Sequence, residues 1–108
     1  MKISDRFYFI GIGGIGMSSL AKYLFDNGSY VSGYDRTKGS ITDKLKDKGI
    51  QVIFKDSIEA IPEKFKLKGT KVIYTPAIPN DNIQLNYFIN NGFEVRKRSY
   101  LLGEITKG

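Results

Sequence analysis

Four glycines fall within the six positions from 11 to 16, in the stretch FYFIGIGGIGMSSLAKYL. The residues before them, 6 to 10, are mostly aromatic or β-branched and predict a strand. The residues after them repeat apolar side chains at the spacing of a helix with one buried face, formed by Met17, Leu20, Ala21 and Leu24. A strand that enters a glycine-rich turn and leaves it as a helix is typical of the first unit of a Rossmann-like fold.

The same strand-to-helix pattern repeats along the chain. Further strands are predicted at 30–34, 50–54, 71–75 and 93–97. Helices are predicted between them. The first runs from the glycine turn to Asn27-Gly28, and the second covers 41–48, with a capping box of Ser40 and Asp43 and an end at Gly49. A third covers 56–68 with an interruption at Pro62, a fourth runs from Asn80 or Asp81 to Asn91 before Gly92, and a last one covers 100–106 after a cap at Ser99.

This alternation, with short connections and no linker, predicts the α/β class. We expect one Rossmann-like domain with a five-stranded parallel sheet and helices on both faces. Ligands of such folds bind at the carboxyl ends of the strands, where the strand order reverses. The loops after residues 10, 34, 54, 75 and 97 are therefore the places to look for a site.

The composition excludes several kinds of chemistry. The chain has no cysteine, which excludes disulfides and thiolate metal sites, and no histidine, the commonest general base and metal ligand. Its apolar runs are shorter than the roughly 18 residues of a membrane span, and its first residues lack the apolar region of a signal peptide. We therefore expect a cytoplasmic protein with no membrane partner and no metal site.

The net charge of +6 raises the question of an anionic partner. Most basic residues are scattered, and those at 44–48 and 64–68 fall at every second position, which spreads them around a helix. The basic triplet at 96–98 stands out because it lies at the end of a predicted strand. The chain carries no recognised nucleic-acid-binding motif, so we expect no nucleic acid partner.

The glycine turn matches the pattern G-x-G-x-x-G at Gly11, Gly13 and Gly16. In this pattern the first glycine permits a tight turn, the second lets a diphosphate approach the backbone, and the third lets the helix pack close to the strand. The N–H groups of Gly14, Ile15 and Gly16 would then face the ligand at the positive end of the helix dipole. The alternative is a glycine-rich turn that serves tight packing only.

Asp35 ends the second strand, 19 residues after Gly16. Dinucleotide-binding domains place an acidic residue there to accept the ribose hydroxyls, and a carboxylate repels the 2′-phosphate of NADP. Arg36 beside it weakens the argument against NADP. The alternative is a solvated carboxylate at a strand end.

The segment VIYTPAIPND, residues 72 to 81, places two prolines around Ala77 and Ile78 directly after the fourth strand. Pro76 and Pro79 donate no backbone hydrogen bond and stiffen this loop. The loop is either a wall of the binding site or a rigid turn into the next helix, and the pattern alone favours neither.

Four segments in this order, FIGIGGIGMSSLAKYL, VSGYD, VIYTPAIPNDNIQL and VRKRSYLLGEIT, resemble the N-terminal domain of the Mur ligases. The resemblance covers residues 6 to 106 and is strongest to members that join L-alanine to UDP-N-acetylmuramate. In the family this domain holds the uridine diphosphate of that cell-wall precursor. A central domain with its own phosphate loop binds ATP, and a third domain receives the amino acid.

The resemblance implies a set of site residues. The diphosphate would be held by Gly13, Gly14, Ile15, Gly16, Met17 and Ser18. The uridine would meet Asp35 and Arg36, with Thr75, Pro76, Ala77 and Ile78 on the opposite side. Arg98 and Ser99 would lie at the exit edge, where a basic residue helps hold an anion. Many members carry Gly-His after the third strand, and Lys55 stands there instead as a possible cation for the same anion.

The chain lacks the pattern G-x-x-x-x-G-K-[ST] of an ATP phosphate loop. We therefore expect residues 1–108 to be a single substrate-binding domain that binds no cofactor and does not catalyse. ATP and magnesium are implied for the full-length ligase, whose ATP-binding domain would begin near the end of this chain. Four alternatives remain: an NAD-binding domain of an oxidoreductase, a nucleotide-sensing module that acts alone, a nucleic-acid binder suggested by the net charge of +6, and, within the same family, the first domain of the ligase that recycles the murein tripeptide.

Overall fold

The computed structural model of the protein describes residues 5–106, so the predicted domain span of 1–108 extends beyond the described part at both ends. Its five strands are β1 (Arg6–Ile10), β2 (Tyr30–Tyr34), β3 (Gln51–Ile53), β4 (Lys71–Tyr74) and β5 (Glu94–Lys97). They form one parallel sheet in the order β3-β2-β1-β4-β5. The predicted five-stranded parallel sheet is confirmed.

Helices cover both faces of this sheet, as the alternating pattern predicts. The helices are α1 (Ile15–Asp26), α2 (Ser40–Lys48), α3 (Ile83–Asn90) and α4 (Arg98–Thr106). Apolar residues of α1, α2 and α4 pack with Phe7 and Phe9 on one face. On the other face, α3 and a 3₁₀ turn at Glu63–Lys66 pack with Tyr8 and Ile10. Successive side chains of β1 therefore point into two different cores.

A buried polar network ties the core to the loop after β3. The Tyr8 hydroxyl donates to Gln84 Oε1 at 2.6 Å, and both side chains are fully buried. Gln84 Nε2 donates to the carbonyl oxygens of Lys55 and Ser57, each at 3.1 Å. Burial raises the pKa of the Tyr8 hydroxyl, which keeps it protonated as a donor. No sequence pattern predicts this role of Gln84, because the residue lies in an ordinary helical pattern.

The prediction for residues 56–68 is largely wrong, because only Glu63–Lys66 is helical, as a single 3₁₀ turn. The Asp56 carboxylate instead accepts the N–H groups of Ile83 and Gln84 at 2.9 and 3.0 Å, at the start of α3. The carbonyls of Lys55 and Ser57 accept hydrogen bonds from the Gln84 side chain. The backbone after β3 therefore bonds to α3 and does not form a helix of its own. Pro62 is extended and directly precedes the 3₁₀ turn.

The predicted starts of three helices are also wrong in detail. At α2 the capping pair is Gly39 and Thr42: the Gly39 N–H donates to Thr42 Oγ1 at 2.9 Å, whereas Asp43 pairs with Lys38. At α3 the cap is Asn82, whose side chain accepts the Leu85 N–H at 2.8 Å. Neither Asn80 nor Asp81 caps it, because a turn from Pro79 to Asn82 delays the helix. Ser99 lies inside α4, which begins at Arg98 directly after β5.

We expect Tyr8→Phe to lower the free energy of unfolding by about 1–3 kcal/mol, because Gln84 Oε1 then stays buried without a donor. Urea denaturation measures this loss. The matched control is Tyr23→Phe, whose ring is 47% exposed and whose replacement should change stability by less than about 0.5 kcal/mol. Equal effects of the two variants would contradict a structural role for the buried hydroxyl.

Candidate functional site

The strand order reverses between β1 and β4, and the glycine turn lies at this switch point. Gly11 has φ +95°, a conformation that favours glycine, and its N–H donates to the Tyr34 carbonyl at 2.8 Å. A Cβ at Gly11 would collide with Thr75 Cγ2, so the ends of β1 and β4 approach closely here. The prediction that Gly11 permits a tight turn is confirmed.

The N–H groups that follow divide into two sets. The N–H of Ile12 donates to Tyr34 O at 3.0 Å, that of Gly13 to Asp35 Oδ1 at 2.9 Å, and that of Gly14 to Gly11 O at 3.2 Å. Within residues 5–106, the N–H groups of residues 15–17 have no backbone acceptor. The expectation that the Gly14 N–H is free is therefore wrong, and the Met17 N–H takes its place. These three donors form the positive end of α1.

The side chains of this turn differ in what they can offer a ligand. Met17 and Ser18 are buried, and the Ser18 hydroxyl donates to the Ile15 carbonyl at 3.0 Å. Met17 therefore presents its main-chain N–H rather than its side chain. Ile15 is the opposite case, since its side chain is 78% exposed beside the open N–H groups.

Arg98, the first residue of α4, lies against the start of α1. A Cβ built on Gly16 would stand 2.6 Å from Arg98 Nε and 2.8 Å from its Cζ, so the guanidinium occupies the space that a side chain at Gly16 would need. We predicted close helix–strand packing as the reason for Gly16, and the structure shows a guanidinium there instead. A permanent cation thus lies beside the first turn of α1.

A cavity of about 450 Å³ opens at this contact, lined by residues 14–17, 75–76 and 97–99. All of them except Lys97 are among the predicted site residues. The cavity combines main-chain donors, the Arg98 guanidinium and the apolar surfaces of Ile15 and Pro76. We call it the arginine cavity. Its size lies within the range of small-molecule sites.

Asp35 lies on the other side of the glycine turn. Its Oδ1 accepts the Gly13 N–H at 2.9 Å and its Oδ2 accepts the Thr37 N–H at 3.0 Å. A Cβ at Gly13 would stand 2.8 Å from Asp35 Oδ1, so this glycine makes room for the carboxylate. A second cavity of about 290 Å³ lies here, lined by residues 13, 35, 37 and 39–42. We call it the aspartate cavity.

The remaining predicted residues, Arg36, Lys55, Ala77 and Ile78, line neither of these two cavities. Arg36 is exposed next to Asp35. Lys55 is exposed in the loop after β3, and its main-chain carbonyl accepts a hydrogen bond from Gln84 Nε2. The Ile78 N–H donates to Thr75 O at 3.0 Å, which closes a turn, and Ile78 packs against the core cluster of Tyr8. Ala77 is exposed in that turn. The segment after β4 is therefore a closed turn, and Thr75 and Pro76 are the residues of it that line the arginine cavity.

A larger cavity, about 670 Å³, lies at the opposite edge of the sheet. It is lined by residues 66, 68–71, 87 and 91–94, at the amino ends of β4 and β5. Two of its lysines, Lys66 and Lys71, already pair with Glu63 and Asp5 at 3.4 and 2.8 Å. We place the candidate site at the switch point, because ligands of such folds bind where the strand order reverses and this edge combines N–H groups of α1 with the Arg98 guanidinium.

In the described part of the chain, no three His, Cys, Asp or Glu side chains come together as a metal site would require. No helix between residues 5 and 106 has the length and apolar character needed to cross a membrane.

The parallel sheet, its switch point and the glycine turn define a Rossmann-like α/β domain. The family profile described as "Mur ligase family, catalytic domain" matches residues 6–108. The chain belongs to the Mur ligase family. Membership confirms the resemblance seen in the sequence.

Curated relatives and solved structures agree with this assignment. The chain is 46% identical over 95% of its length to a UDP-N-acetylmuramate–L-alanine ligase of Flavobacterium johnsoniae, and 50% identical over 94% to one of Porphyromonas gingivalis. It spans 23% and 22% of those two proteins. The crystal structure of a UDP-N-acetylmuramate–alanine ligase from Thermotoga maritima matches with a TM-score of 0.81 and 29% identity, over 94% of this chain and 23% of that one.

A second solved structure shows the same fold only. It is a UDP-N-acetylmuramate:L-alanyl-γ-D-glutamyl-meso-diaminopimelate ligase from Neisseria meningitides, with a TM-score of 0.75 and 22% identity, over 87% of this chain and 28% of that chain.

We expect two glycine-to-alanine variants to have opposite effects on stability. A Cβ at Gly33 would stand 2.5 Å from the carbonyl oxygen of Phe9, so Gly33→Ala forces two central strands apart and costs at least about 1–3 kcal/mol. In Gly16→Ala the added Cβ contacts only the movable end of the Arg98 side chain. We expect the free energy of unfolding to stay unchanged or to rise by up to about 1 kcal/mol, because alanine favours a helix.

Urea denaturation of both variants tests this contrast. Gly103→Ala is the control, since this glycine of α4 has no atom within 4 Å of an added Cβ. A loss of stability in Gly16→Ala as large as that in Gly33→Ala would show that Arg98 is held rigidly.

Proposed function

We propose that this chain binds the uridine diphosphate part of UDP-N-acetylmuramate, as the substrate domain of an ATP-dependent UDP-N-acetylmuramate–L-alanine ligase. The names of its relatives at 46% and 50% identity support this substrate. Because the chain spans under a quarter of their length, the activity belongs to a longer polypeptide of which residues 1–108 form the substrate-binding domain. A place in peptidoglycan synthesis, on which cell shape and division depend, and a cytoplasmic location follow from this role.

One observation carries the proposal: the Arg98 guanidinium lies against the start of α1, where three N–H groups have no acceptor among the described residues, and these residues line one cavity together. Main-chain donors at a helix N-terminus bind phosphate oxygens, and the helix dipole favours their negative charge. The planar guanidinium adds charge-assisted hydrogen bonds to the same group. Lys97 lines the cavity as a further cation. The site thus has the donors and the charge that a diphosphate requires.

The uridine fits the aspartate cavity, because the two cavities adjoin at the glycine turn. Gly13 lines one and Gly14 the other. Each oxygen of Asp35 accepts one main-chain N–H and keeps a lone pair for a ribose hydroxyl. Thr37, Ser40 and Thr42 line this cavity too. Arg36, Lys55, Ala77 and Ile78 line neither cavity, and their predicted contacts with the substrate remain part of the proposal.

The proposed share of this chain in the reaction is to bind and orient. ATP, with magnesium, supplies the phosphoryl group that activates the lactyl carboxylate for attack by the amine of L-alanine. The chain has no G-x-x-x-x-G-K-[ST] sequence for that nucleotide, so we assign ATP and magnesium to other domains of the full-length enzyme. Residues 1–108 alone bind no cofactor in this proposal and are inactive. Their grip on the nucleotide leaves the lactyl end of the substrate free for chemistry elsewhere.

Thermal-shift titration of the chain with UDP-N-acetylmuramate, UDP and NAD tests the proposal. At about 100 times its dissociation constant, a ligand stabilises the native state by about 2.7 kcal/mol. In a domain of this size this raises the melting temperature by on the order of 10 °C. We expect shifts with the two uridine nucleotides and none with NAD. A shift with NAD alone would identify an oxidoreductase-type domain and refute the proposal.

Arg98→Ala should raise the dissociation constant for UDP roughly 10- to 100-fold, since a hydrogen bond to a charged group contributes about 1.5–3 kcal/mol. Isothermal titration calorimetry measures this change. Arg96→Ala is the matched control: it removes the same charge two positions earlier, from a guanidinium that stacks on the Tyr100 ring at 4.7 Å. An equal loss in both variants would mean that net charge, and not the Arg98 contact, holds the ligand.

A further inference from the structure

The glycine turn is held almost entirely by the end of β2. All four N–H groups from Gly11 to Gly14 bond within the domain: the first two to the Tyr34 carbonyl, the third to the Asp35 carboxylate, and the fourth to Gly11 O. The main chain of Asp35 is itself fixed, because its N–H donates to the Ile53 carbonyl at 2.9 Å. Among the described residues, Asp35 is therefore the one side chain that accepts any of these four N–H groups.

The hydrogen bond between the Gly13 N–H and Asp35 lies in the part of the turn whose main chain is least restricted. Glycine has more backbone freedom than any other residue, so consecutive glycines do not hold one conformation unaided. Gly13 and Gly14 stand immediately before the first open donor, the Ile15 N–H. A change in the backbone at Gly13 turns the peptide planes that follow, and with them the direction of the open N–H groups.

We propose that Asp35 is a positioning residue for the diphosphate site, which acts through the Gly13 N–H in addition to any contact with a ribose. The inference goes beyond the ribose-accepting role of such an acid and rests on the proposed function for the identity of the ligand. The carboxylate fixes the turn so that its first four N–H groups are used internally and the next three stay open. Its second oxygen, bonded to the Thr37 N–H, keeps the carboxylate oriented.

Three possible roles of Asp35 predict different results for Asp35→Asn. If Asp35 matters only as a negative charge near the anion, its removal tightens the binding of UDP. If it only accepts ribose hydroxyls, uridine and UDP lose affinity by the same factor. If it positions the turn, UDP loses more affinity than uridine, because the loss falls on the phosphate contacts. The ratio of the two dissociation constants separates these roles.

NMR titration of the ¹⁵N-labelled chain with uridine and with UDP measures both constants. We expect Asp35→Asn to weaken UDP roughly three- to tenfold, as for one lost hydrogen bond, and uridine less. Asparagine has one accepting oxygen for the two N–H groups of Gly13 and Thr37, so the bond to Gly13 is weakened without being abolished and the effect is partial. Asp35→Ala should weaken UDP further. Asp26→Asn is the control, since Asp26 lies at the far end of α1, paired with Lys48 at 3.0 Å.

Hydrogen exchange of the Gly13 amide in the ligand-free chain gives an independent readout. We expect faster exchange in Asp35→Asn than in the wild type, and unchanged exchange in Asp26→Asn. Unchanged Gly13 exchange, equal losses for uridine and UDP, or tighter UDP binding would each overturn the inference. If neither uridine nor UDP binds the wild type, the proposed function fails, and the Gly13 amide still decides whether Asp35 holds the turn. If Asp35→Ala does not fold, the nearly isosteric Asp35→Asn carries the test.

Discussion

The burial of β1 on both of its faces is the constraint on which the rest of the structure depends. Its side chains from Phe7 to Ile10 are fully buried, two in each core. Helices must therefore cover both faces, and a strand with neighbours on both sides must end in a turn that leaves room for them. The close approach of Thr75 to Gly11 and the polar network around Tyr8 both follow from this position. The candidate site lies where this central strand ends.

The sequence predicts the strands better than the helix starts, for physical reasons. An aromatic and β-branched run such as residues 6–10 is typical of a buried strand. The bounds of β1 and β2 match the prediction to the residue. Asn80, Asp81 and Asn82 are all good caps, and only the turn from Pro79 decides among them. The local pattern of residues 56–60 predicts a helix. The structure forms none there, because the carbonyls of Lys55 and Ser57 accept hydrogen bonds from the distant Gln84 side chain. Local patterns carry no record of such distant partners.

The same limit applies to the site. Spacing along the chain identified Asp35, and family resemblance identified Arg98, but neither predicted what these side chains touch. Both contacts explain glycines that the motif explains differently: Gly13 makes room for a carboxylate and Gly16 for a guanidinium. The motif therefore shows where a site lies, whereas the contacts of its glycines show how it is built. Such contacts join residues far apart in sequence, so a three-dimensional structure is needed to find them.

The position of the positive charges has a consequence for kinetics. Lys97, Arg98 and the N-terminus of α1 place positive charge at the arginine cavity. Positive charge at a site draws an anion toward it before any contact forms, and dissolved salt weakens the attraction. In the proposed function, this charge governs how fast the nucleotide binds, whereas the hydrogen bonds govern how long it stays bound.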